Sequence, residues 1–125
     1  MRLPPTPAAA GQARALVAEA CHLWHVEHLR GPATLIVSEL VSNAVQHAGT
    51  DLQVNVALRR DHLHLSVRDE DPRPAARPDP EPDPARPAVR GRGLYLVESY
   101  ATAWGSHANG DGKAVWATLR ATPPD

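Results

Sequence analysis

The 125-residue chain has no phenylalanine and a single cysteine. Without Phe, the core must be built from Leu, Val and Ala, with three Trp and two Tyr as its large aromatic pieces. A lone Cys21 excludes an internal disulfide and suits a reducing compartment, so a cytoplasmic location is expected. An excess of charge of either sign is also missing. The 13 basic residues meet 14 acidic ones, which argues against the basic footprint of a nucleic-acid binder. No apolar run approaches the roughly 20 residues of a membrane span. The opening "MRLPPTPAAAGQ" lacks the apolar segment of a signal peptide. A single domain covering residues 1–125 is expected at this length.

Proline, by contrast, is abundant. Seven of the 13 prolines fall between Pro72 and Pro87. That density excludes both a helix and a central strand. Residues 72–90 therefore read as one long loop of extended polyproline character, and loops of this length in small domains are commonly lids or binding loops.

Elsewhere the pattern is periodic. Over residues 8 to 28, Ala13, Leu16, Val17, Ala20, Leu23 and Trp24 recur at helical spacing. "RGPAT" reads as a break, with Pro32 near the first turn of a second helix. Leu35, Ile36, Leu40, Val41, Ala44 and Val45 mark that helix's apolar side, and Gly49 is its expected stop. Alternation then takes over. Leu52, Val54, Val56 and Leu58, followed by Leu63, Leu65 and Val67 across "RRDH", predict a hairpin. The same period of two turns Asp69 inward. "GRGLYLVESYA", residues 91 to 101, predicts a third helix after a Gly-rich turn. "AWGSHA" and "KAVWATLR" predict two more strands around "NGDG", with Val115, Ala117 and Leu119 on one face. The order helix, helix, hairpin, loop, helix, hairpin predicts an α+β two-layer sandwich, an antiparallel sheet with helices on one face.

Three local features carry chemistry. In "SELVSNAVQHAG", Glu39, Asn43 and His47 recur every four residues and form one slowly drifting polar stripe. The ordinary reading is a solvated helix face. The alternative is a site in which Asn43 offers a neutral oxygen to Mg2+ and Glu39 serves as a base. Asp69 is either a turn-forming acid or an acceptor for an exocyclic amine such as that of adenine. "GRG" is either an ordinary helix start or a phosphate cradle, since glycines let backbone N–H groups approach an anion. No GxxxxGK[ST] is present, which excludes the commonest phosphate loop. A histidine triplet, His22, His25 and His28, offers a weaker metal-binding alternative.

Taken jointly and in this order, these stretches resemble the GHKL superfamily of ATP-binding domains, which share the Bergerat fold. The resemblance runs from about Ala9 to Leu119. "ELVSNAVQHA" is similar to the N box, "SVRDEDPRP" stands at the first Gly box, and "GRGLYLVESYA" is similar to the second. The likeness is strongest to the stand-alone anti-sigma factors that are serine/threonine kinases. It implies a two-layer α/β sandwich with a mixed, mostly antiparallel sheet, residues 72–90 as a Pro-rich ATP lid, and ATP with Mg2+ as cofactors. By the same resemblance, Glu39 is the general base and Asn43 the Mg2+ ligand. His47 lies in register with the N box, Asp69 recognises adenine, and Gly91, Gly93 and Leu94 edge the phosphates. Arg90 and Arg92 add cations beside the phosphates. The closing strand of the family often carries Thr near the base; here Lys113 and Ala114 fall there, with Thr118 further along as the remaining candidate. Implied partners are a sigma factor and an anti-sigma factor antagonist, with a homodimer. The competing expectation is an interaction module of the same fold that has lost phosphoryl transfer.

Overall fold

In the computed structural model, residues 1–71 and 100–121 are described. The first strand, β1 (Arg2–Leu3), is followed by α1 (Ala9–Leu23) and a short 3-10 turn at Glu27–Leu29. After these come α2 (Arg30–His47), β2 (Leu52–Arg59), β3 (His62–Asp69), β4 (Ala103–Asn109) and β5 (Gly112–Arg120). The sheet order is β1-β2-β3-β5-β4, and every pairing is antiparallel. Both helices pack on one face, α2 against β3 and β5 and α1 against α2 and β2. This is the expected two-layer α+β sandwich. The third helix expected at 91–101 and the loop at 72–90 lie outside the described residues, apart from residues 100 and 101.

The first helix stops five residues before the predicted end. Its buried side is Ala9, Ala13, Val17, Ala20 and Cys21. The stop is a Schellman turn. His25 adopts a left-handed φ of 57°, its N–H donates to the His22 carbonyl at 3.3 Å, and the Val26 N–H donates to the Cys21 carbonyl at 2.9 Å. These bonds satisfy carbonyls that a helix end would otherwise leave open. Burial of Val26 beside the turn fixes the new direction of the chain.

"RGPAT" is not a break. It is the first turn of α2. The first four N–H groups of a helix have no partner within it, so Pro32 loses nothing there. Thr34 Oγ1 donates back to the Arg30 carbonyl at 2.6 Å. At the other end, Gly49 takes φ 65° and turns the chain toward β2. Positive φ there suits Gly and strains other residues.

The core lies between the layers. Ile36, Val37, Leu40 and Val41 of α2 and Val17 and Cys21 of α1 meet Leu52, Val54, Leu63, Leu65, Ala117 and Leu119 of the sheet. Cys21 is completely buried, and burial pushes its thiol pKa up. β1 was not readable from sequence, because two residues carry no period. Its register is Arg2↔Gln53 and Leu3↔Leu52, and Arg2 clamps it from outside by pairing with Asp51 and Glu70, each at 3.1 Å. Exposed pairs of this kind contribute little, because solvent and salt screen them.

No described helix packs on the other face of the sheet. There Trp116 lies against Gly105, whose Cβ, if added, would sit 2.8 Å from the indole. On its other side Trp116 stacks with His64, the ring centroids 6.1 Å apart and 12° from parallel. Burial first, and then the charge of Arg59, lowers the His64 pKa. An unfolded chain therefore binds the proton more readily than the folded one, and stability falls as pH drops below the ordinary histidine value of 6.5. Between pH 7.5 and 5, the melting temperature of His64→Gln is expected to decline less than that of the parent, by calorimetry.

Candidate functional site

The polar stripe on α2 is not a fully solvated face. Glu39, Asn43 and His47 are all half-buried. Each step of four residues rotates the stripe by about 40°. It starts well away from the buried arc of Ile36, Leu40 and Ala44 and swings toward it by His47. Neither the Glu39 carboxylate nor the Asn43 amide has a hydrogen bond or ion pair to a described residue. A half-buried acid and amide without partners among the described residues keep their bonding capacity there for a ligand.

The helix end is tied to the strand end. Three residues after His47, the Thr50 hydroxyl accepts a bond from the Glu70 N–H at 3.0 Å. The C-terminal end of α2 and the Asp69 end of β3 thus share one end of the molecule. Asp69 continues the inward alternation of Leu63, Leu65 and Val67 and is 3% exposed. A carboxylate cannot be buried unpaired at acceptable cost. Its main partner is Lys113, directly opposite in the β3–β5 register. Lys113 Nζ stands 3.1 Å from Asp69 Oδ2 and 3.3 Å from Oδ1. It also reaches the Asp71 carbonyl at 3.4 Å. The Asp71 N–H closes an Asx turn on Asp69 Oδ1 at 2.8 Å.

The acids that follow Asp69 have separate positions. Glu70 points outward to Arg2, whereas Asp71 is itself buried. Gly112 makes the arrangement possible. A Cβ there would fall 2.1 Å from the Asp69 carbonyl oxygen, so only glycine lets β5 approach closely enough for Lys113 to face Asp69.

Thr118 is not brought to this place. It alternates with the buried Ala117 and Leu119 and pairs with His64, so it projects from the face opposite the two described helices. Its hydroxyl donates to the Ala103 carbonyl at 3.5 Å. The cofactor-binding candidate Thr118 thus stands on the opposite face from Asp69, and Lys113 occupies the end of β5 nearest Asp69. Arg90, Gly91, Arg92, Gly93 and Leu94 lie outside the described residues. The histidine triplet is dispersed. His22 Nδ1 pairs with Glu27 at 2.5 Å, His25 forms the helix stop, and His28 Nε2 donates to the Ala121 carbonyl at 2.6 Å. Among the described residues, no group of three or more His, Cys, Asp or Glu could hold a metal ion. No described helix is long and apolar enough to cross a membrane.

Comparison with known proteins bears on this geometry. Residues 3–119 match the family described as histidine kinase-like ATPase domain. Among solved structures, the chain is similar to a histidine kinase domain from the blue-light activated histidine kinase of Erythrobacter litoralis EL346. The TM-score is 0.50 at 24% identity, covering 73% of this chain and 44% of that one. This chain therefore corresponds to less than half of that domain, and the likeness is one of fold. A search of curated proteins returns no match.

Proposed function

The chain belongs to the histidine kinase-like ATPase family, and from that premise we propose that it is an anti-sigma regulatory factor that phosphorylates a protein antagonist on Ser or Thr. The supporting observation is the unspent pair on α2. Glu39 and Asn43 are half-buried without partners among the described residues, at the side of a helix whose end is tied through Thr50 to Glu70, the neighbour of the buried acceptor Asp69. The donor set fits a nucleotide. Asp69 uses three of about four lone-pair sites on its described partners, leaving one on Oδ2 for an amine. Asn43 supplies a single neutral oxygen, which suits Mg2+, an ion that keeps several waters and is otherwise held by phosphates.

Bound ATP supplies the transferable phosphoryl group. The chain's own residues position and activate. Asn43 holds the metal, Asp69 fixes the base end, and Glu39 accepts the proton of the attacking seryl or threonyl hydroxyl. His47, in the same stripe, borders the site. Arg90, Gly91, Arg92, Gly93 and Leu94, which lie outside the described residues, are the phosphate-side candidates that the sequence resemblance implies. The partners in this reading are a sigma factor and its antagonist, bound in the cytoplasm by a homodimer.

Calorimetric titration with ATP, with and without Mg2+, tests the site. Binding is expected to require Mg2+, and Asn43→Ala should weaken it about tenfold or more. Glu39→Ala should keep the affinity and lose label transfer from ATP to the antagonist. Transfer that survives Glu39→Ala removes Glu39 as the base. A second reading, a nucleotide-binding module without transfer, is favoured by the hold of Lys113 on Asp69. That reading predicts ATP binding with no labelled antagonist even in the parent chain.

A further inference from the structure

We propose that Lys113 reads the nucleobase together with Asp69, its ammonium donating directly to the ring nitrogen beside the exocyclic amine of adenine. The inference rests on the nucleotide reading above and adds a specificity residue to it.

Asp69 and Lys113 are an acceptor and a donor held side by side. Their charged atoms are 3.1 Å apart, in strands paired at that register. Adenine presents the matching pattern on one edge, an N–H donor on the exocyclic nitrogen next to an unprotonated ring nitrogen. A carboxylate facing the first and an ammonium facing the second would form two parallel bonds, and neither protein group would be left with an uncompensated charge.

The present coordination of Lys113 points the same way. The side chain is 5% exposed, a costly place for an ammonium. Its three contacts measure 3.1, 3.3 and 3.4 Å. Charge-assisted N–H···O bonds settle at about 2.7–2.9 Å. An ammonium has three N–H donors, so to reach the base Lys113 exchanges the longest of these contacts to described residues, that to the Asp71 carbonyl, for the ring nitrogen. Asp69 keeps one acceptor site on Oδ2, so the amine can bind without expelling Lys113.

The pattern also excludes. Guanine carries an oxygen where adenine carries the amine, and a protonated nitrogen beside it. In the same pose it would set oxygen against carboxylate and N–H against ammonium.

The test compares ATP, 1-deaza-ATP and GTP by calorimetry on the intact protein. The deaza analogue keeps the amine and the triphosphate and lacks only the ring acceptor. Its affinity is expected to fall about tenfold or more relative to ATP, with GTP weaker still. In the doubly neutral variant Asp69→Asn/Lys113→Met, ATP and 1-deaza-ATP should bind equally. Equal binding of the two by the parent chain would overturn the role of Lys113 and leave the nucleotide reading standing. A deaza penalty that persists in the double variant, or a preference for GTP, would also overturn it. Failure of the parent to bind any of the three would remove the nucleotide reading itself, and this inference with it.

Discussion

Lys113→Met is expected to cost about 3–5 kcal/mol of folding stability, a large share of the roughly 5–15 kcal/mol that holds a domain together. Methionine nearly matches the volume of lysine, so packing is not what is lost. The loss is the counter-charge of Asp69, which is 3% exposed and keeps only the Asp71 N–H as a described donor. The double variant Asp69→Asn/Lys113→Met should recover most of the deficit, because an amide oxygen still accepts from the Asp71 N–H and no charge stays buried. Urea unfolding with unchanged slope reads both effects as shifts of the midpoint. If Lys113→Met unfolds at the parent midpoint, the pair is not what stabilises this end of the sheet.

The second large effect is expected at Gly112→Ala. The new methyl would lie 2.1 Å from the Asp69 carbonyl oxygen and 3.1 Å from the Glu70 Cα. Both are backbone atoms, so no side-chain rotation relieves the contact. The strands must part where Asp69 and Lys113 meet. A penalty at or above the upper end of about 1–3 kcal/mol for overpacking is expected, together with loss of nucleotide binding. Gly110→Ala, two residues earlier in the same turn, meets nothing within 4 Å and should leave both unchanged. That contrast separates a close-approach requirement from a general intolerance of the turn.

What could be read from sequence followed the range of each signal. The β2–β3 hairpin and the burial of Asp69 come from a strict period of two, and the apolar side of α2 from a period of 3.6. Both are local patterns that tertiary structure reinforces. The end of α1 was misplaced because its stop is a histidine in left-handed geometry, where glycine is the usual marker. Thr118 was carried as a cofactor-binding candidate further along the closing strand, although parity with Ala117 and Leu119 already put it on the face opposite Asp69. Lys113 was seen as a departure from the Thr usual beside the base but not as the partner of Asp69. Pairing of the two depends on the register of β3 with β5, 44 residues apart, and no local period encodes such a register.

The seclusion of Cys21 has a practical corollary. It is the chain's sole sulfhydryl, and it sits where both helices meet the sheet. An aromatic disulfide reagent can modify it only after that junction has come apart. The protein thus carries its own clock for opening of the interior, readable in the parent and in every variant described above without an added probe.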